Sequence, residues 1–210
     1  MSEFTDVKST DRNHRRVLLI SQAALLAALS YIGFQFFRID IPVGIEKTAF
    51  HFGNVFLILA ALLIGGFWGG MAGAVGMGIA DLTSGYASSA PATFILKLLF
   101  GLVVGLVAEK ILHLREEQDR SKQLLACILS SAAGVLFNVF ADPLVRFLIK
   151  KYIIGLPADL AAALAKLNAV TTLVNGVVAV IAVSLIYMAI RPALEKSNLL
   201  LLSLIHISEP

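Results

Sequence analysis

Apolar residues follow one another along this chain in long runs rather than at a helical or strand period. Six runs can be marked, and they cover residues 17–37, 49–64, 67–83, 92–112, 124–147 and 167–190. Because a bilayer core about 30 Å thick needs about 20 residues of helix, the runs predict six transmembrane helices. The second and third runs are short, and Gly65 and Gly66 predict a tight turn between them. The predicted fold class is an all-α membrane protein.

Polar residues interrupt the runs at one end of the predicted bundle. Since successive helices run in opposite directions, a residue early in one helix and a residue late in the next lie at the same depth. The residues concerned are His51, Asn54, Asp81, Lys97, Asn138, Asp142, Asn168 and Asn175. Polar groups in hydrocarbon are costly and usually mark a functional site. The pattern predicts a polar pocket, open to one side of the membrane, that captures a small solute.

Within this set we interpret one group of residues as substrate-binding and two carboxylates as supporting them. The binding group is His51, Asn54, Lys97, Asn138 and Asn175, and the supporting pair is Asp81 and Asp142. His51 and Asn54 are three residues apart and are expected to share a helix face. Two other interpretations stay open: Asp81 and Lys97 could neutralise each other in a salt bridge, and single asparagines could join helices by hydrogen bonds. Converging amides favour a polar heterocycle with donors and acceptors.

Composition and charge place the chain in a membrane and orient it. Hydrophobic residues make up 58% of the chain and charged residues 15%, with a mean hydropathy of +0.86, which is too apolar for a soluble domain. With the N-terminus inside, ten basic residues lie on the cytoplasmic side and six on the outer side, and Arg15 and Arg16 adjoin the first span. This bias predicts that both termini are cytoplasmic.

The chain is expected to form one membrane domain with short tails. Residues 1–16 are interpreted as a cytoplasmic tail, 17–190 as the six-helix domain, and 191–201 as a second cytoplasmic tail. Residues 202–210 resemble the translation of a sequencing-library adapter, so we interpret them as non-native. Residues 153–166 could form a short helix that caps the pocket or an extension of the last span.

Motifs for catalysis and metal binding are missing from the sequence. It contains no Gly-x-Ser-x-Gly, no His-Glu-x-x-His and no nucleotide-binding motif, so neither an enzyme nor an ATPase is expected. Cys127 is the single cysteine, and no Cys or His pair has metal-ligand spacing. We expect no metal, no cofactor and no nucleic-acid partner.

Small residues on the first helix predict a close helix–helix contact. Ala23 and Ala27 form one ridge at i and i+4, and Ala24 and Ala28 form another. Small side chains let helices approach closely in lipid. The surface could pack inside this subunit or could dock another membrane protein.

Several segments together resemble a known transporter family. They are Phe50–Phe56, the glycine-rich turn that follows, Ile79–Tyr86, Ala90–Phe94 and Lys97. These segments are similar to the substrate-binding S components of energy-coupling factor (ECF) vitamin transporters, in the riboflavin, hydroxymethylpyrimidine or pyridoxine branch. The resemblance covers roughly residues 17–190, and residues 50–105 are its specific part. Tyr86 lies in that part, and we count it among the supporting residues.

The resemblance implies a function and a set of partners. Such a subunit lies in the prokaryotic cell membrane, binds a small vitamin or precursor with high affinity near its outer face, and works with a transmembrane T subunit and two cytoplasmic ATPases. The alanine face of the first helix, Ala23, Ala24, Ala27 and Ala28, matches the surface through which such subunits meet the T subunit. The other possibility is a structural or assembly membrane protein without a small-molecule ligand.

Overall fold

The protein consists of six α-helices and one β-hairpin in the part that the structure describes, residues 2–43 and 46–197 of a computed structural model. The elements are α1 Ser2–Gln35, β1 Arg38–Val43, β2 Glu46–His51, α2 Gly53–Ile64, α3 Gly66–Thr83, α4 Ala90–Leu106, α5 Arg120–Leu148 and α6 Ala158–Lys196. Short π-helical turns, Val107–Ile111 and Ile149–Ile153, extend α4 and α5. The prediction of a helical membrane protein is confirmed, and the hairpin is an addition that the apolar runs did not predict.

The described helices differ in their capacity to cross a membrane. Four segments, Asn13–Gln35, Ala87–Ile111, Arg120–Ile153 and Ala158–Lys196, are long and apolar enough to do so. α2 has 12 residues and is about 18 Å long at 1.5 Å per residue, which is shorter than the hydrocarbon core. The chain is therefore a multi-pass membrane protein, and six complete crossings remain a prediction.

The short helix α2 forms the centre of the bundle. It contacts α1, α3, α4 and α6, and the side chains of Leu57, Ile58 and Leu62 are fully buried among them. A helix that is apolar on all sides is expected where other helices surround it. Its N-terminal end is therefore held near the bundle axis, which places Asn54 inside the protein.

Glycines of α3 allow three other helices to pack closely against it. A β-carbon on Gly69 would lie 2.2 Å from the backbone nitrogen of Ala61 in α2. Equivalent atoms on Gly70 and Gly76 would lie 2.6 Å from the carbonyl oxygen of Leu98 in α4 and 2.2 Å from that of Ala27 in α1. These separations are too short for any larger residue. The α3 glycines thus serve helix packing, as small residues do in membrane proteins.

The alanines of α1 divide between two environments. Ala24 and Ala28 are exposed on the outside of the bundle. Ala23 and Ala27 are partly buried and pack against the apolar core, where the backbone of Ala27 meets Gly76. The predicted four-alanine face is therefore two faces, and only the ridge of Ala24 and Ala28 is open to another protein.

Two arginines hold the α4–α5 loop at the end of the bundle opposite the hairpin. Arg191, 3% exposed, donates to the carbonyl oxygens of Leu114, Arg115 and Glu117. Arg115 donates to the carbonyl oxygen of Leu62 at the end of α2. Its Nη2 also lies 3.2 Å from Glu109 Oε1, an ion-pair distance without hydrogen-bond alignment. The loop thereby joins the ends of α2 and α6.

Several predicted boundaries change in the structure. The second run was expected to be helical from residue 49, but residues 46–51 form β2 and the helix begins at Gly53. Two structures were expected for residues 153–166, a capping helix or an extension of the last span. Residues 158–166 belong to α6, which agrees with the extension. The 1–16 tail is helical from Ser2 as part of α1, and residues 191–196 continue α6. The proposed adapter-derived tail, 202–210, lies outside the described residues.

Candidate functional site

A cavity of about 440 Å³ lies between the hairpin and the adjoining ends of the helices. The eight side chains that the sequence predicted as substrate-binding or supporting all line it: His51, Asn54, Asp81, Tyr86, Lys97, Asn138, Asp142 and Asn175. Asn168 lines it as well. Ligand cavities for small molecules have volumes of about 300–1,000 Å³. The structure thus brings the predicted residues together around a space that fits a small solute.

Two asparagines from neighbouring parts of the bundle present unpaired amides to the cavity. Asn54 near the start of α2 and Asn138 late in α5 are each 2% exposed. Among the described residues, the Oδ1 atom of each has no hydrogen-bond partner. Since buried polar groups are nearly always paired, these two amides are available to a bound solute.

Asn175 lines the cavity, and both polar atoms of its amide are hydrogen-bonded to the hairpin. Its Oδ1 accepts a hydrogen bond of 3.0 Å from the backbone N–H of His51, and its Nδ2 donates one of 3.0 Å to the carbonyl oxygen of Ala49. The amide therefore pairs with β2 as a neighbouring strand would. The hydroxyls of Thr48 and Thr171, 2.9 Å apart, add a second contact between β2 and α6. Asn175 positions the hairpin over the cavity.

His51 does not share a helix face with Asn54, because it ends β2 while Asn54 lies in α2. Its Nδ1 accepts a hydrogen bond from the backbone N–H of Gly53, an N–H at the start of α2 that has no partner within the helix. Its ring packs on Phe34, with the ring centres 4.5 Å apart. The imidazole therefore connects the hairpin to the start of α2 on the cavity wall.

Asp142 is paired with a cation that the sequence analysis missed. Arg146 Nε lies 3.0 and 2.9 Å from the two carboxylate oxygens of Asp142, and Arg146 also lines the cavity. The two residues are four apart on α5, a spacing that favours such a pair on a helix. That spacing was a sufficient signal to add Arg146 to the predicted site.

Tyr86 fixes the other side of the hairpin. Its hydroxyl donates to Asp40 Oδ1 at 3.0 Å, and Arg38 Nε lies 3.3 Å from the same oxygen. Burial, and the hydrogen bond and charge of the Asp40 carboxylate, raise the pKa of Tyr86 above its usual value. The phenol therefore remains a neutral donor at neutral pH, and it holds β1 against the turn that follows α3.

Asp81 and Lys97 do not form the salt bridge that the sequence left open. Both are buried, at 3% and 6% exposure, yet no ion pair within 4.0 Å joins them in the part of the chain that the structure describes. Asp81 Oδ2 has no hydrogen-bond partner among the described residues. Lys97 Nζ lies over the Phe100 ring, 5.5 Å from the ring centre. Two opposite charges therefore face the same cavity separately.

Comparison with known proteins gives one match over most of the chain. A family model described as "ECF-type riboflavin transporter, S component" matches residues 15–192. A protein of Pyrococcus woesei, described as "Uncharacterized protein in gap 3'region", is 37% identical over 67 residues. These residues are 32% of this chain and 45% of that protein, so the match covers less than half of the relative's length. No solved structure matches the chain.

Proposed function

Because this chain belongs to the family of S components of ECF-type riboflavin transporters, we propose that it is the substrate-binding membrane subunit of such a transporter. In this role it captures a small vitamin or vitamin precursor from outside the cell, with high affinity, for ATP-driven uptake. The proposal is supported mainly by the cavity, which is lined by buried polar side chains from each of the helices α2 to α6. Polar groups at membrane depth need partners, and a polar solute supplies them.

The proposed orientation places the cavity on the outer side of a prokaryotic plasma membrane. Ten basic residues then lie on the cytoplasmic side and six on the outer side, in agreement with the positive-inside rule. Both chain ends are cytoplasmic in this arrangement. The solute reaches the binding residues from outside without crossing the apolar core around α2.

The proposed partners are a transmembrane T subunit and two cytoplasmic ATPases, because this chain has no nucleotide-binding motif of its own. The ridge of Ala24 and Ala28 on α1 is the proposed docking surface. Both residues are exposed, and their small side chains allow a second helix to approach closely. Ala23 and Ala27 are excluded from this surface because they pack against the core.

We expect the purified chain to bind at least one of riboflavin, pyridoxine, hydroxymethylpyrimidine or thiamine, and Asn138→Leu to weaken that binding. Loss of a neutral hydrogen bond costs about 0.5–1.5 kcal/mol, or up to roughly tenfold in affinity. Isothermal titration calorimetry in detergent measures the affinity of the wild-type chain and of the variant for each compound. The matched control is Asn13→Leu, since Asn13 is exposed and far from the cavity. Absence of binding by the folded wild-type chain to all four compounds would refute the proposal and favour a structural role.

Ala28→Leu is expected to leave vitamin binding by the isolated subunit unchanged and to abolish ATP-dependent uptake by the assembled transporter. A close helix crossing tolerates no added bulk, because overpacking costs about 1–3 kcal/mol. The control is Ala132→Leu, a matched change at an exposed position of α5. Binding and vesicle uptake are measured on the same preparations. Normal uptake by Ala28→Leu would show that this ridge faces lipid in the complex.

A further inference from the structure

Among the described residues that line the cavity, one carboxylate and one ammonium group have no ion-pair partner within the protein. Asp81 ends α3 and Lys97 lies early in α4, and both are more than nine-tenths buried. Among the described residues, Thr93 is the side-chain hydrogen-bond partner of the Asp81 carboxylate, and Asp81 Oδ2 accepts no hydrogen bond. Lys97 Nζ lies over the Phe100 ring and has no hydrogen bond or ion pair in that part of the chain. Both residues line the space that a ligand would fill, and neither charge is neutralised by a cation or an anion at salt-bridge distance.

The other charged groups that line the cavity differ from this pair. Asp142 forms an ion pair with Arg146 at 2.9 Å, which leaves Asp81 as the carboxylate without an ion pair among the described lining residues. Lys150 also lines the cavity but is only partly buried. The inner part of the cavity is thus electrically balanced, with one negative and one positive group that do not meet.

The unpaired amides of Asn54 and Asn138 accompany the two charges. An amide offers both a donor and an acceptor, so either end of each side chain can turn to the ligand. Asn54, Asp81, Lys97 and Asn138 come from four successive helices, α2 to α5. A flat polar ring could be contacted around its edge by all four.

A ligand that displaces water from these groups must replace the hydrogen bonds that water made to them. A buried charge without a partner is strongly unfavourable, and hydrogen bonds between charged groups are the stronger ones. A ligand with donors alone would leave Lys97 unpaired, and one with acceptors alone would leave Asp81 unpaired. A ligand with a net charge would unbalance the inner cavity.

We propose that the cavity selects a net-neutral, dipolar heterocycle that directs a cationic N–H group to Asp81 and an anionic or strongly accepting oxygen to Lys97. Such ligands include the 3-hydroxypyridines. At neutral pH their ring nitrogen is protonated and the oxygen attached to C3 is deprotonated. Asn54 and Asn138 bind polar substituents between these two positions. The inference rests on the proposed function, and it narrows the vitamin to one charge pattern.

The experiment compares four ligands on the full chain in detergent by isothermal titration calorimetry. They are pyridoxine, its 3-O-methyl ether, which cannot form the oxyanion at C3, the analogue with C–H in place of the ring nitrogen, and riboflavin. We expect pyridoxine to bind at least about tenfold more tightly than either analogue, and more tightly than riboflavin. Equal binding of pyridoxine and both analogues, or tighter binding of riboflavin, would overturn the inference.

Variants then assign each preference to one residue. Lys97→Met is expected to abolish the preference for pyridoxine over its 3-O-methyl ether. Asp81→Asn is expected to abolish the preference for pyridoxine over the analogue without the ring nitrogen. Lys122→Met and Asp159→Asn are matched changes at exposed positions away from the cavity, and both preferences should persist in them. Preferences that survive in folded Lys97→Met and Asp81→Asn would also overturn the inference.

The outcomes separate this inference from the function on which it rests. Tight binding of another vitamin with no preference for a dipolar ring would leave the proposed function in place and refute the charge pattern. Failure of the folded wild-type chain to bind any of the vitamins would refute both. The ligand comparison uses the wild-type chain alone. It therefore tests the inference even if Asp81→Asn or Lys97→Met does not fold.

Discussion

Arg191→Met is expected to destabilise the protein more than any change at an exposed arginine. The guanidinium donates to three loop carbonyl oxygens and to the Tyr187 hydroxyl, at distances of 2.8 to 3.3 Å. Methionine has a similar length but no donor, so these acceptors stay buried without partners. Each buried acceptor left without a donor costs about 1–3 kcal/mol, and with partial relaxation of the loop we expect a total loss of about 3–5 kcal/mol.

Circular dichroism on thermal unfolding in detergent measures this effect. At about 2–4 °C per kcal/mol for a chain of this size, the Tm should fall by roughly 6–20 °C. Arg120→Met is the matched control, because Arg120 begins α5 and is exposed, and its Tm should stay close to the wild-type value. Equal shifts in the two variants would show that the Arg191 network contributes little to stability.

Gly101→Ala is expected to force α3 and α4 apart. A β-carbon at Gly101 would lie 2.3 Å from the Cα atom of Gly70 and 2.5 Å from its backbone nitrogen. Backbone atoms cannot rotate away as a side chain can, so the whole helix pair has to shift. The cost is about 1–3 kcal/mol or more, and it exceeds the gain of up to about 1 kcal/mol from replacing glycine in a helix.

Gly78→Ala makes the same chemical change on α3 without a clash. The nearest atom to its β-carbon would be Phe94 Cδ2 at 3.8 Å, an ordinary contact. We expect Gly78→Ala to be as stable as the wild type or slightly more stable, and Gly101→Ala to unfold at a lower temperature. A Gly101→Ala protein as stable as Gly78→Ala would mean that the two helices separate freely.

The residues of the candidate site could be predicted because successive helices cross the membrane in opposite directions. The position of a residue along its helix then gives its depth in the bilayer. Asp81 is late in one helix and Lys97 early in the next, and this order places both near the same membrane surface without knowledge of packing. The residues that the sequence grouped by depth all line one cavity in the structure. Their use as binding residues remains a prediction.

The division of roles within the site could not be predicted. Asn54 and Asn175 look alike in the sequence, but Asn175 pairs with the backbone of residues more than 120 positions away. No periodic pattern records a side chain that bonds to a distant main chain. The hairpin was missed for another reason: Ile39, Ile41 and Val43 alternate as in a strand, but this segment lies between two longer apolar runs that dominated the interpretation.

The six glycines of α3 make this segment a poor signal for insertion into the bilayer during synthesis. Glycine contributes little to transfer into hydrocarbon, and α3 is not among the four segments apolar enough to cross alone. Its backbone is shielded once α1, α2 and α4 have packed on the glycine faces. We therefore expect α3 to enter the bilayer together with its neighbours, and to stay at the bilayer surface until one of them packs against it.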